Sequence, residues 1–286
     1  MDAKGVAYTS TSHINASDRI RPPGSDWVYV KLYGPSSSQN EILGKRLLPL
    51  CREWEAAGCV TCWFFVRYAD PAPHLRIRFQ GELKKLNYRF VPRLVAWAKN
   101  LIKDDLCEKF SFETYEREVE RYGGPDGMAA SERFFGADSR LVAGLIAADV
   151  DTSDVTSLVV TIDSILGLFG LGCDDKMAWL RTATSGRHLV GSEYRSSAKR
   201  LILAVSDSAS ATPSIYTAMK DMGASAEAAA LMIQRADGSG RLQQARSRIY
   251  QHLIHMHCNR MTFDDNIEAR ALALLLRTRQ ALSFIS

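Results

Sequence analysis

The period of the hydrophobic pattern changes near residue 125, and this change most constrains the fold. Before residue 125, short runs dense in aromatic and β-branched residues are interleaved with longer runs of helical spacing. After it, Ala- and Leu-rich runs of helical spacing continue to the end of the chain. A period of two is typical of strands, and a period of 3.6 is typical of helices. The sequence therefore predicts an α+β fold with a sheet half followed by a helical half.

Four strands and two helices are predicted in the first half, in the order βαββαβ. Ser38 is the predicted N-cap of the first helix, which ends at Gly58, and the second helix covers 83–102. This order suits an antiparallel sheet with both helices on one face, as in ferredoxin-like units. The predicted strands cover residues 27–33, 60–68, 75–79 and 109–115.

The chain of 286 residues is long enough to bury a large core, with 46% hydrophobic and 24% charged residues. We divide it into a polar N-terminal arm (1–25), a sheet half (26–125) and a helical half (126–286), and expect the two halves to form one integrated domain. Helices of the second half are predicted at 128–150, 155–171, 176–181, 193–205, 215–222, 226–235, 241–261 and 265–285.

Charge and targeting signals indicate a cytoplasmic protein. The net charge of +4 is too small to imply nucleic-acid binding, and the first 25 residues lack the basic start and apolar run of a signal peptide. Residues 155–173 approach the length of a membrane span, but Asp163 lies in their middle, so we predict a buried helix and no membrane. The six cysteines are not expected to form a disulfide framework in a chain of this size.

Two arginines stand two residues apart on a predicted strand. Arg76 and Arg78 must therefore share one face of the sheet. Arg67 and His74 lie close by in the sequence, and Arg121 follows the fourth strand. Adjacent guanidinium groups repel unless an anion lies between them, which favours a pocket for carboxylate or phosphate. A solvated edge with scattered ion pairs is the other interpretation that the pattern allows.

A second group of polar residues lies in the segment RIYQHLIHMHCNR. Spacings of four, three and four place Arg248, His252, His255 and Asn259 on one stripe of a helix, whereas His257 points elsewhere. A histidine on a half-buried helix can transfer a proton near neutral pH. It can equally be a core histidine whose hydrogen bonds are satisfied within the protein, and the spacing leaves both interpretations open.

The sequence contains few of the motifs that metal sites and nucleotide-binding sites usually have. Cys59 and Cys62 form a lone C-x-x-C pair, and His255 and His257 point in different directions on one helix, so we predict no metal site. The sequence lacks a Gly-rich phosphate loop, a G-x-S-x-G elbow and a dinucleotide fingerprint.

Three segments carry a resemblance to a known family. They are WFFVRYADPAPHLRIRF (63–79), TYEREVERYGG (114–124) and HMHCNR (255–260). Together they resemble the thiopeptide-type bacteriocin biosynthesis domain, which is the C-terminal elimination domain of lantibiotic dehydratases. The resemblance runs from about residue 27 to the C-terminus. The large glutamylation domain of full-length dehydratases is not in the sequence, so we expect a stand-alone member.

The resemblance implies β-elimination of glutamate from glutamylated Ser or Thr of a precursor peptide. By position, Arg76, Arg78 and Arg121 match the arginines that hold the glutamyl group, and His255 matches the histidine of the elimination site. Other polar residues of the same motifs are predicted to contact the substrate: Arg67, His74, Asn259 and Arg260.

The resemblance also implies the partners: the leader and core of a precursor peptide, and a separate glutamylation enzyme that uses glutamyl-tRNA. No cofactor is implied, and a homodimer is left open. A second branch of the family contains the thiopeptide pyridine synthases, which join two dehydroalanines and release the leader peptide. A third alternative is a non-catalytic scaffold that binds leader peptide and partner enzyme. Retention of all three arginines and His255 favours elimination.

Overall fold

An antiparallel sheet of four strands organises the first half of the chain, in a computed structural model that describes residues 14–184, 190–264 and 266–284. The strands lie side by side in the order β3-β4-β2-β5, and two short strands, β1 and β6, form a separate ladder. The strands are β1 (Ile20–Arg21), β2 (Trp27–Tyr33), β3 (Cys62–Tyr68), β4 (His74–Gln80), β5 (Lys109–Glu113) and β6 (Tyr115–Glu116).

Helices connect the strands and then build the second half. The first half holds α1 (Ala16–Arg19), α2 (Gln39–Glu41), α3 (Leu48–Ala56), α4 (Leu83–Lys85) and α5 (Val91–Lys103), with π-helical turns at Ile42–Leu47 and Leu86–Phe90. The second half holds α6 (Pro125–Ala147), α7 (Val155–Leu168), α8 (Cys173–Ala183), α9 (Gly191–Ser206), α10 (Ser208–Ala211), α11 (Pro213–Gly238), α12 (Arg246–Met261) and α13 (Ile267–Leu282).

The prediction of an α+β fold with an antiparallel N-terminal sheet and a helical second half is confirmed. Several predicted boundaries differ from those in the structure. Ser38 makes no capping hydrogen bond, because a short 3₁₀ turn precedes α2 and already gives Ser38 helical angles. The predicted helices at 215–222 and 226–235 are one helix, α11, which continues through the buried Gly223. Helix α12 begins at Arg246, five residues after the predicted start.

The N-terminal arm is docked over its described part. Residues 1–13 lie outside the described residues, but Ile20 and Arg21 pair with Glu116 and Tyr115 across the β1–β6 ladder. Arg19 forms an ion pair with Glu120. The arm therefore runs along the segment that follows the sheet.

One face of the sheet is fully covered. Alternate side chains of β2, β3 and β4 point to this face, and each of them is buried. They are Val28, Val30, Leu32, Trp63, Phe65, Arg67, Leu75, Ile77 and Phe79. Arg67 is the one charged residue among these nine. We call this side the covered face and the other side the open face.

Helix α7 is buried within the helical half, as predicted for residues 155–171. Its Asp163 is paired with Lys176 (3.1 Å) and with Arg279. Among the described residues no single helix is both long and apolar enough to cross a bilayer; α7 and α8 meet that standard only as a pair bent by 120°.

Side chains of the helical half satisfy the free edge of β3. Ser139 Oγ accepts from the Phe65 N–H (3.1 Å), and Arg260 Nε donates to the Phe65 carbonyl (2.9 Å). Two residues further along β3, Asn259 accepts from the Arg67 N–H and donates to the Arg67 carbonyl, both at 3.0 Å. An edge strand leaves a row of backbone groups unpaired, so these contacts replace a missing neighbour strand.

A buried carboxylate holds this arrangement together. Asp138 of α6 accepts from His257 Nδ1 (2.6 Å) and from Arg260 Nη1 (2.9 Å), and all three side chains are fully buried. His257 Nε2 lies 2.8 Å from Thr161 Oγ1 of α7. Burial alone would raise the pKa of Asp138, but the charges and hydrogen bonds of His257 and Arg260 hold it below its usual value. The prediction that His257 points away from the polar stripe of α12 is confirmed.

Replacement of Asp138 should therefore be strongly destabilising. We expect Asp138→Ala to lower the free energy of unfolding by about 3 to 5 kcal/mol, since a buried charge pair that loses one partner leaves the other uncompensated. Asp126→Ala is the matched control on the same helix, because Asp126 pairs with Arg241 at the exposed surface and such pairs contribute about 0 to 1 kcal/mol. Urea unfolding measures both. Equal losses in the two variants would contradict the structural role of Asp138.

Candidate active site

The open face of the sheet concentrates positive charge and aromatic rings. In register across β3, β4 and β2, Phe64 faces Arg78 and Tyr29, Val66 faces Arg76 and Lys31, and Tyr68 faces His74 and Tyr33. These nine side chains define the open face, on which Tyr29, Phe64 and His74 are buried and the other six are partly or fully exposed. Lys31 lies directly opposite Arg76, and like charges in that position are unfavourable without an anion.

Arg78 lies at the most aromatic part of this face. Its guanidinium carbon lies 4.3 Å from the ring centroid of Tyr29, 4.6 Å from that of Tyr115 and 5.4 Å from that of Phe64. Its Nε is buried and has no hydrogen-bond partner. Arginine stacked on aromatic faces keeps its planar donors for a ligand. Arg78 Nε is therefore a donor that an acceptor group of a ligand could use.

Tyr115 is itself held in place by a buried ion pair. Its hydroxyl donates to Glu132 Oε1 (3.0 Å), and Arg117 donates to both oxygens of that carboxylate, at 2.8 and 2.6 Å. Burial, followed by the charge of Glu132, raises the pKa of Tyr115 well above its usual value, so the phenol remains protonated. Glu132 of α6 thus fixes the Tyr115 ring against which Arg78 packs.

Arg76 and His74 form a hydrogen-bonded pair. Arg76 Nε donates to His74 Nε2 (3.0 Å), and His74 Nδ1 lies 2.8 Å from the Ala72 carbonyl, which fixes the neutral tautomer with its proton on Nδ1. Burial, and then the charge of Arg76, lower the pKa of His74. The guanidinium of Arg76 lies 3.4 Å from the ring centroid of Tyr68. His74 therefore orients Arg76 without neutralising its charge.

The open face retains a net positive charge. One ion pair on this side of the sheet joins Lys31 to Glu113 (3.5 Å), and within the described chain neither Arg76 nor Arg78 takes part in an ion pair. An anionic group of a ligand would therefore meet two guanidinium groups that have no carboxylate of their own.

Arg121 lies in the segment that follows β6, and its charge and that of Arg78 both act on Tyr122. Arg121 is partly exposed, and its Nη1 lies 3.2 and 3.3 Å from the two carboxylate oxygens of Glu118. The next residue, Tyr122, packs its ring edge-on against His252 of α12, with centroids 6.0 Å apart. Burial, followed by the charges of Arg121, Arg248 and His255, lowers the pKa of His252, so this imidazole is neutral at pH 7.

His255 is half exposed and has a carboxylate partner. Its Nδ1 lies 2.7 Å from Glu268 Oε2 of α13. A carboxylate that binds one imidazole nitrogen fixes the ring orientation and determines which nitrogen faces a substrate. Asn259, one turn later on the same helix, is attached to the edge of β3.

The structure separates the remaining predicted substrate contacts from Arg76 and Arg78. Arg67 lies on the covered face, where its Nε donates to the Arg260 carbonyl (2.9 Å). Arg260 is fully buried and bound to Asp138, while Asn259 bonds the backbone of Arg67. Of the four predicted substrate contacts, only His74 is bound to one of the two open-face arginines, through its hydrogen bond with Arg76.

Three residues of this region were not predicted as site residues. Lys31 could have been found, because Tyr29, Lys31 and Tyr33 alternate on a strand in the way that Arg76 and Arg78 do. His252 was placed on the same helical stripe as His255 but was not assigned a role. Glu268 belongs to another helix, and no local pattern connects it to His255. Groups of three or more His, Cys, Asp or Glu that could hold a metal ion do not occur among the described residues.

Comparison with known proteins gives consistent results. Residues 27–279 match the family model described as lantibiotic biosynthesis dehydratase, C-terminal. The subtilin biosynthesis protein SpaB of Bacillus subtilis is 30% identical over 277 residues, which make up 91% of this chain and 26% of SpaB. The chain thus spans about a quarter of the length of this relative.

Two solved structures share the fold. The tRNA-dependent lantibiotic dehydratase MibB from Microbispora sp. 107891 superimposes with a TM-score of 0.76 at 23% identity, covering 96% of this chain and 29% of MibB. The pyridine synthase TbtD from thiomuracin biosynthesis superimposes with a TM-score of 0.65 at 12% identity, covering 92% of this chain and all of TbtD. The match over residues 27–279, which includes Arg76, Arg78, Arg121 and His255, shows that the chain belongs to the lantibiotic biosynthesis dehydratase C-terminal family.

Proposed function

We propose that this protein is a lyase that eliminates glutamate from glutamylated Ser or Thr residues of a ribosomally made precursor peptide. The observation that carries this proposal is the arginine pair of the open face. Arg78 has a buried donor without a partner, and Arg76 is oriented by a neutral histidine. Within a family named for lantibiotic dehydration, such a pair suits the carboxylate of a glutamyl group.

The reaction is a β-elimination. A base removes the Cα proton of the esterified residue, the electron pair forms the Cα–Cβ double bond, and the bond from Cβ to the ester oxygen breaks. Glutamate departs as a carboxylate, and dehydroalanine or dehydrobutyrine remains in the peptide. Negative charge develops on the enolate and on the departing group, and preorganised cations stabilise both. The proposed chemistry needs neither a metal nor a nucleotide.

In this proposal the arginines bind and the histidine transfers a proton. Arg76 and Arg78 hold the glutamyl group, and Arg121, from the segment after β6, supplies a third cation for it. His255, oriented by Glu268, acts as base or protonates the leaving group. The reaction partners are the precursor peptide and a separate glutamylation enzyme that uses glutamyl-tRNA, and we place the protein with them in the cytoplasm.

The pyridine synthases are the second candidate. The superposition with TbtD covers all of that enzyme, so the fold alone suits a cycloaddition as well as an elimination. A cycloaddition of two dehydroalanines has no glutamyl carboxylate to bind. The paired guanidinium groups therefore favour elimination.

Incubation with a purified glutamylated precursor should release glutamate and convert the glutamyl esters to dehydro residues, as read by mass spectrometry. Arg78→Ala and Arg76→Ala should each slow this release by about 10² to 10³-fold, the usual cost of losing a group that stabilises developing charge. Cyclisation of a dehydroalanine-containing peptide, with glutamyl adducts left intact, would support the pyridine synthase instead.

Arg89→Ala provides the matched control for the arginine variants. Arg89 is an exposed arginine on the π-helical turn Leu86–Phe90, which packs against the covered face. Its loss should leave the release rate unchanged. Equal rates in the Arg76, Arg78 and Arg89 variants would remove the open face from the reaction.

His255→Ala should slow glutamate release by about 10² to 10⁴-fold, the range expected for a positioned acid or base. Glu268→Gln should shift the pH profile of the same rate, because it removes the charge that orients the imidazole. Single-turnover assays over a pH series measure both effects.

Gln251→Ala is the control on the same helix, since Gln251 is exposed, lies one turn before His255 and cannot transfer a proton near neutral pH. His257→Ala is expected to lower stability through the loss of its contact with Asp138. If His255→Ala matches Gln251→Ala in rate while His252→Ala is slow, the proton transfer belongs to His252 and our assignment is wrong.

A further inference from the structure

A cavity of about 220 Å³ lies on the covered side of the sheet. It is formed where α2, the loop before α7 and the end of α12 meet, and its wall includes Ser36, Asn40, Arg67, Asp151 and Phe263. It shares no residue with the open face. Typical pockets for drug-sized ligands are about 300 to 1,000 Å³, so this cavity suits a smaller molecule.

Arg67 supplies an uncompensated charge at this cavity. Its side chain is 2% exposed, and its guanidinium carbon lies 4.7 Å from the ring centroid of Phe263. Nε donates to the Arg260 carbonyl, and Nη2 donates to Asn40 Oδ1 at 2.7 Å. A third and longer contact, at 3.5 Å, joins Nη1 to Gln39 Oε1. All these acceptors are neutral.

The guanidinium has capacity left for a ligand. Arginine carries five N–H donors in a planar fork, and three contacts leave two of them without a partner among the described residues. Burial lowers the pKa of Arg67 to about 10, and no carboxylate of the described chain counters this effect. A buried charge without a counter-ion is costly, and an anion in the cavity would offset that cost.

The wall of the cavity also carries a negative charge, at Asp151. Asp151 is exposed, and its Oδ1 accepts from the N–H (2.9 Å) and the hydroxyl (2.6 Å) of Ser153. These hydrogen bonds hold the pKa of Asp151 below its usual value, so it is charged at neutral pH. Asp151 and Arg67 form no ion pair with each other, although both line the cavity. The space between them therefore has a positive end and a negative end.

We propose that this cavity binds a small zwitterion of the α-amino acid class, with its carboxylate on Arg67 and its ammonium group on Asp151. The hydroxyl of Ser36 lies on the same wall and can complete the hydrogen bonding. A phosphate suits the site less well, because Asp151 would repel a second negative charge. The inference does not depend on the proposed elimination, since the two sites lie on opposite faces of the sheet.

The test is an NMR titration of the full chain with L-alanine, acetate, methylamine and inorganic phosphate. We expect L-alanine to bind at least tenfold more tightly than any of the other three. Asp151→Asn should weaken the binding of L-alanine at least tenfold and leave the binding of acetate unchanged. Arg67→Lys should weaken both, because a lysine cannot reproduce the planar fork.

Arg78→Ala separates this site from the open face, and it should leave L-alanine binding unchanged. Loss of binding in Arg78→Ala would place the amino acid on the open face and overturn the proposal. So would phosphate binding as tight as that of L-alanine, the absence of any binding, or an Asp151→Asn variant with unchanged affinity. Because Asp151 is exposed, its variant is expected to fold, which keeps the test decisive if Arg67→Lys does not.

Discussion

The buried carboxylate of Asp138 is the interaction on which the rest of the structure depends. It binds His257 and Arg260 of α12 from α6, and Arg260 in turn donates to the Phe65 carbonyl at the edge of β3. A fully buried carboxylate is stable only when it is paired and hydrogen-bonded. Together with the contacts of Ser139 and Asn259, this group fixes the helical half to the edge of the sheet. The fixed position of α12 places Asn259 on the edge of β3 and brings His255 to Glu268 of α13.

Strand alternation then divides the charges of the sheet between two environments. Arg76 and Arg78 share the open face, where aromatic rings and a neutral histidine support them without neutralising them. Arg67 follows Phe65 by two residues and so points to the covered face, where helices bury it. The same motif therefore supplies arginines to two separate places. In our two proposals, this one segment contributes to a glutamyl site on the open face and to a second, smaller cavity on the covered side.

The local part of this organisation could be predicted from the sequence. The strands, the shared face of Arg76 and Arg78, and the separate direction of His257 all follow from periods of two and 3.6. The long-range part could not be predicted. The pairing of His255 with Glu268 joins two helices, and the burial of Arg260 depends on Asp138, 122 residues away. Alternation in β3 did contain the information that Arg67 shares a face with Trp63 and Phe65, but proximity in sequence favoured grouping it with Arg76.

The central claim is that the open face binds the glutamyl group through its arginine pair. The most direct measurement is the affinity of a peptide whose glutamyl group is attached by an amide in place of the ester, so that it cannot be eliminated. We predict that the protein binds this peptide at least tenfold more tightly than the unmodified peptide, and that Arg78→Ala removes the difference. Equal affinity of the unaltered protein for the two peptides would contradict the claim.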